Sequence, residues 1–201
     1  MKHEKSAALH VGRTIRTLRS RGGLRLQDLA RRAGFTKGFL SKIETGKSSP
    51  PIATLMRLAQ ALAVDPAIFF QAAGSNGASD PNRSVHVSPR ERLKVANASA
   101  GPGYSYWALA SQRPHKAMEP FLLTVRPREV DRKKRFEHPG EEFIFVLKGR
   151  CDYVVGDETF SLGSGDSLYF DATRPHAPLP KGGPVTFLAI FCAPPRRKRD
   201  S

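Results

Sequence analysis

Gly34-Phe35-Thr36-Lys37-Gly38-Phe39-Leu40-Ser41-Lys42-Ile43-Glu44-Thr45-Gly46-Lys47-Ser48-Ser49-Pro50 sorts into two faces when wound as a helix at about 100° per residue. Phe39, Leu40 and Ile43 fall on one side; Lys37, Gly38, Ser41, Lys42 and Thr45 fall on the other. Thr36 is placed to cap the N-terminus and Gly46 to stop the helix. The apolar side belongs to a core. The opposite side is small, polar and basic, carrying the cations and hydroxyls that meet guanine edges and phosphates, and Gly38 lets a backbone come close.

The flanking residues extend this helix into a domain. Val11, Ile15 and Leu18 recur at helical spacing over residues 7–20, with Arg13, Arg16 and Arg19 between them, before Gly22-Gly23. Leu26, Leu29, Ala30 and Ala33 mark a second helix over 26–33, which Gly34 ends just before Thr36. Two helices joined by so tight a turn form a helix-turn-helix. Beyond Pro50-Pro51 comes the stripe Ile52, Leu55, Met56, Ala59 and Leu62. Asp65 and Pro66 then supply the N-cap and first position of a fifth helix over 66–71.

Charge follows the same division. The 201 residues carry a formal net charge of +15, and the first 72 hold 13 Lys and Arg against 4 Asp and Glu, or +9. A polyanionic partner is expected, and nucleic acid fits better than a membrane surface because no basic amphipathic helix carries an aromatic-rich lipid face. Cys151 and Cys192 are too few for a disulfide framework and sit in apolar runs, so they read as reduced packing residues. No apolar stretch follows the charged residues at the start, and the run 143–147 is too short to span a bilayer; a cytoplasmic protein is expected.

Residues 73–84 are rich in Gly, Ser, Asn and Asp without apolar periodicity, as in a flexible linker. After them the period falls from 3.6 to 2. Runs at 85–87, 104–109, 121–125, 142–148, 151–155, 159–162, 167–170 and 185–191 read as short strands between Gly, Pro and Asp turns, the pattern of a sandwich or barrel. The tail Arg196-Arg197-Lys198-Arg199 reads as a solubilising run. Within the β half, His138, Glu142 and His176 offer two imidazoles and a carboxylate, the set of a facial metal triad; as spaced residues alone they are more often unrelated surface groups.

Two resemblances sharpen these readings. Arg19, Leu26-x-x-Leu29-Ala30, Gly34, Phe39-Leu40-Ser41-x-Ile43-Glu44-x-Gly46 and Thr54-Leu55-x-x-Leu58-Ala59 resemble the Xre-type helix-turn-helix domain of phage repressors and bacterial regulators, over about residues 8–72. The resemblance implies a five-helix lambda-repressor-like domain in which Lys37, Gly38 and Lys42 face bases while Gln27, Thr45 and Lys47 meet phosphates, with Thr36 and Ser41 on the same surface. It also implies a partly buried ion pair between Arg19 and Glu44. Arg25 stands where the family places Ser or Thr, so the second helix lacks a side-chain cap.

His138-x3-Glu142-x6-Gly149 and Gly165-Asp166 through His176 resemble the two motifs of the cupin superfamily, over about residues 115–192. That implies a double-stranded β-barrel, with His138, Glu142 and His176 as three of four ligands for one divalent metal, Zn, Fe or Ni. Phe136 occupies the usual first His position. Tyr106, Phe136 and Ile144 are expected, with the triad, to face an effector pocket.

The whole is thus an α+β chain: a DNA-binding domain over residues 1–72, a linker over 73–84, a cupin barrel over 85–195 and a basic tail over 196–201. The combination resembles bacterial regulators whose barrel senses a small-molecule effector. A homodimer on a double-stranded DNA operator is expected, because one such domain reads only a few base pairs. The rival is a mononuclear-iron cupin enzyme resembling hydroxypropylphosphonic acid epoxidase, which shares the domain order.

Overall fold

The computed structural model describes residues 2–69, 84–95, 103–113, 116–127 and 130–192. The linker expected over 73–84, apart from residue 84, and the tail expected over 196–201 lie outside these residues. The chain runs α1 (Lys2–Arg21), α2 (Leu26–Arg32), α3 (Lys37–Glu44), α4 (Ile52–Leu62) and a 3-10 turn (Pro66–Phe69). Among the described residues nine strands follow: β1 (Leu93–Val95), β2 (Tyr104–Ala108), β3 (Met118–Val125), β4 (Glu141–Lys148), β5 (Arg150–Val155), β6 (Glu158–Gly163), β7 (Ser167–Asp171), β8 (His176–Pro180) and β9 (Val185–Cys192). The fold is α+β, with four α-helices before the barrel. The expected fifth helix is a single 3-10 turn: after Pro66 the bond from Ile68 N to Asp65 O closes at i+3 spacing.

The helices bury the faces their stripes mark. Val11 and Ile15 of α1, Leu29 and Ala30 of α2, Leu40 and Ile43 of α3, and Ile52, Leu55, Met56, Leu58 and Ala59 of α4 form one core. Arg25 provides no side-chain cap for α2; the Asp28 carboxylate accepts from its backbone N–H at 3.2 Å instead. No helix among the described residues is long and apolar enough to cross a membrane.

The strands build a six-stranded sheet, β1-β2-β3-β9-β4-β7, facing a three-stranded one, β6-β5-β8. Inward positions alternate strictly: Phe121, Leu123 and Val125 on β3, Ile144 and Val146 on β4, Cys151, Tyr153 and Val155 on β5, and Phe187, Ala189 and Phe191 on β9. Burial pushes the Cys151 thiol up to about 12, in keeping with a packing role. Gly149, at φ +90, turns β4 into β5 where a side chain would strike the Pro184 carbonyl.

Three strand readings change. Residues 85–87 are not a strand, whereas β1 and β8 are strands that alternation did not mark. In β8, His176-Ala177-Pro178-Leu179-Pro180, the prolines interrupt the pattern, and the strand lies at a sheet edge, where a missing N–H is tolerated.

Glu119 is buried on the inward face of β3, with Lys116 Nζ 3.1 Å from its Oε1. Burial first, and the charge of Asp65 in the helical domain second, push its carboxyl up to about 7, against the pull of Lys116. A carboxyl raised in the folded state contributes stability that is whole below the unfolded pKa near 4.5 and lost as pH rises through 7. Glu119→Gln is therefore expected to flatten the fall in stability between those values. Urea denaturation at pH 5 and pH 8 measures this; equal slopes for variant and wild type would refute it.

Candidate DNA-reading face and barrel triad

Thr36 Oγ1 accepts from Phe39 N at 3.2 Å and starts α3. Phe39 packs on Phe35 with ring centroids 5.3 Å apart, while Leu40, Ile43 and Glu44 are buried. The opposite surface is open: Lys37, Gly38, Lys42, Thr45, Lys47, Thr36 and, from the start of α2, Gln27 are exposed, and Ser41 is half-buried. Thr45 Oγ1 donates to Ser41 O at 2.8 Å, so its proton is engaged; Thr36 Oγ1, used as an acceptor, keeps its proton for another acceptor.

A Cβ at Gly38 would meet nothing within 4 Å. Gly38→Ala should therefore raise stability by up to about 1 kcal/mol through helix propensity and, if this turn approaches the groove, weaken operator binding. Thermal melts paired with DNA titration test this; unchanged DNA affinity would mean that this turn does not approach the groove.

Arg19 holds the face in place. Its Nε and Nη2 donate to the two oxygens of Glu44 at 2.6 and 2.9 Å, and Nη1 donates to Leu24 O at 2.8 Å. The expected ion pair is thus bidentate, joining the end of α1 to the end of α3. Two supporting residues went unnoticed in the sequence. Gly12 lets α1 lie on the α3 C-terminus, where a Cβ would collide with the Ile43 carbonyl. Arg57 of α4 stacks over Phe35 at 4.6 Å from the ring centroid. A Gly on a helix face or one Arg in an apolar stripe has no period to reveal such contacts.

In the barrel, His138 lies just before β4, Glu142 on it, and His176 starts β8. The isolated bridge between Phe136 and His176 brings the two histidine segments side by side. All three side chains are buried, and one ligand atom from each falls within 4.8 Å of the others, the one such group among the described residues. His138 Nε2 and His176 Nε2 approach the same Glu142 Oε2, at 3.4 and 3.3 Å. Burial pushes the Glu142 carboxyl up, but its close contacts with the two imidazoles outweigh it and hold the group at about 2.

These residues fit a metal. His138 Nδ1 faces Pro139 O at 3.3 Å and His176 Nδ1 faces Arg174 O at 2.8 Å. A carbonyl only accepts, so each Nδ1 carries hydrogen and each Nε2 is turned toward the carboxylate. A lone pair aimed at a carboxylate requires a proton or a cation between them, and two such nitrogens with one carboxylate are the donor set of a facial triad. The triad could thus hold a divalent metal.

The space beside the triad is about 20 Å³, enough for a water or an ion. Tyr106 and Phe136 line it as expected, with Tyr104, Tyr153 and Phe191; Ile144 is buried but does not line it. Part of its wall comes from the helical domain: Pro51, Ile52 and Ala53, at the start of α4. Arg57 Nη1 lies 3.9 Å from Glu137 Oε1, the residue beside His138. The DNA-reading domain therefore sits on the mouth of the barrel.

Comparison with known proteins agrees with both halves. A helix-turn-helix domain family matches residues 10–68 and a cupin domain family matches residues 121–191. The chain belongs to the helix-turn-helix transcriptional regulators and carries a C-terminal cupin domain. It is 25% identical over 174 residues to the HTH-type transcriptional regulator PuuR of Escherichia coli (strain K12), covering 84% of this chain and 86% of the relative. With the HTH-type transcriptional regulator SutR of the same organism the figures are 26% over 175 residues, 86% and 88%. An uncharacterized HTH-type transcriptional regulator, y4dJ of Sinorhizobium fredii, is 41% identical over 54 residues, 27% of this chain and 70% of the relative. The crystal structure of an HTH_3 family transcriptional regulator from Vibrio cholerae shares the fold, with a TM-score of 0.68, 23% identity, and coverage of 96% of this chain and 99% of that one.

Proposed function

We propose that this transcriptional regulator reads its operator as a homodimer through Lys37, Gly38, Ser41 and Lys42, with Gln27, Thr36, Thr45 and Lys47 on phosphates. Occupancy of the barrel mouth, by a divalent metal and a small-molecule effector, sets its DNA affinity. The observation that carries this reading is the position of α4: its first turn roofs the triad, and the recognition helix is the element just before it. A ligand at the mouth interacts differently with a docked and an undocked helical domain, which is the condition for coupling. Met118, Leu147 and Tyr169 are exposed side chains on the outside of the barrel that self-association would cover.

A metal at His138, Glu142 and His176 would neutralise the Glu142 carboxylate and leave coordination positions open for the polar end of an effector. The relatives named transcriptional regulators, matched over most of their length, favour this reading over the enzyme. Operator affinity measured before and after metal removal tests the coupling. A change of about 5- to 150-fold is expected for the wild type and none for the His138→Ala, Glu142→Ala, His176→Ala protein, which should still bind DNA. Equal responses from the two proteins would contradict the role of the triad.

A further inference from the structure

The geometry points to a binding site for a small organic polyanion, carrying carboxylate or phosphate groups, in the cleft between the helical domain and the barrel. This deepens the proposed effector control and rests on it. The cleft holds about 390 Å³, a size that suits a metabolite, whereas the space at the triad is about 20 Å³. Arg31 and Arg32 at the end of α2 and Arg57 on α4 line one wall, with Gln60; Glu137 and Thr173 of the barrel line the other. Three guanidiniums face one carboxylate, so the cleft carries surplus positive charge. Arginine pairs in bidentate fashion with carboxylate and phosphate, which fixes the ligand class.

The pairing inside the cleft is slack. Arg57 and Glu137 approach only to 3.9 Å, and Arg31 meets Asp28 at 3.6 Å with its own side chain exposed. A polyanion would take Arg57 from Glu137 and add Arg31 and Arg32, replacing the ion pair between the domains with contacts on the helical side. The consequence reaches DNA through a short path. Arg31 and Arg32 lead through Gly34 to the Thr36 cap of the recognition helix, and Arg57 also stacks on Phe35 in that turn. His138, which lines both the cleft and the triad space, links such a ligand to the metal site. Another hollow of about 400 Å³ beside Arg150 and Lys181 touches only barrel residues, and Lys181 is already paired with Asp152 at 2.6 Å.

Inorganic pyrophosphate and succinate serve as probes, titrated calorimetrically into the full-length protein at constant ionic strength, with operator binding measured on the same samples. At least one probe should bind the wild type. Arg32→Gln, an exposed position that leaves the fold alone, and Arg57→Gln should each weaken it about tenfold or more. Glu137→Gln, which removes the internal competitor, should tighten it severalfold. Lys148→Gln, the same charge change at the opposite end of β4, should have no effect. Binding of neither probe, or losses as large in Lys148→Gln as in Arg32→Gln, would overturn the site. If DNA binding persists while both probes fail, the anion site falls and the regulator reading stands; if DNA binding is absent from the wild type, that reading falls first.

Discussion

Replacing Glu44 with alanine is expected to lower the unfolding free energy of the helical domain by about 3–5 kcal/mol, because it strands the Arg19 guanidinium where water reaches it poorly. The side chains of Arg19 and Glu44 keep only 14% and 6% of their exposure, and the pair closes through two hydrogen bonds on the two carboxylate oxygens. Arg19 would retain its bond to Leu24 O, but the clamp between the ends of α1 and α3 would be gone. Glu44→Gln, which keeps one acceptor, should cost less. Urea unfolding of the two variants measures the difference, and a Glu44→Ala midpoint equal to wild type would mean the pair is solvated and energetically idle.

The second large effect is on DNA. Lys42→Ala should weaken binding to the preferred operator by about 1–3 kcal/mol and relax its base preference, since a lysine in the groove meets guanine edges. Lys47, beyond the end of α3, should behave differently: its loss weakens all sequences alike and lowers the slope of log affinity against log salt by about one ion. Both side chains are exposed. The contrast between the two variants in one salt titration separates base reading from phosphate contact, and identical behaviour would merge the two roles.

Most of the helical domain was legible because its elements are amphipathic and end on turn residues. The stripes of α1 to α4, the Thr36 cap and the arc of Lys37 and Lys42 follow from periodicity alone. The Arg19–Glu44 pair came from resemblance, since two charges 25 positions apart carry no pairing signal. In the β half, alternation found every strand except β1, at three residues too short, and β8, whose Pro178 and Pro180 break the pattern. Spacing showed the triad only as a donor set, and its clustering came from the cupin resemblance; in the fold the bridge between Phe136 and His176 brings the two histidine segments together.

The seating of α4 on the barrel was not legible at all. Pro50-Pro51-Ile52 reads as the start of a helix, and nothing in its composition says that this start also closes a β-barrel. Contacts between domains are made by a few residues that already have local reasons to be where they are. Arg57 is the clearest instance, an interruption of an apolar stripe whose partners, Phe35 and Glu137, lie in two other segments.

The central claim is that α3 reads DNA sequence, and selection from a randomised duplex library tests it most directly. Wild-type protein should enrich a common motif made of two inverted half-sites centred about one helical turn, or a multiple of it, apart, and the Lys37→Ala, Lys42→Ala protein should lose that motif while remaining folded. Enrichment of no common motif by the wild type, or recovery of the same motif by the double variant, would contradict the account.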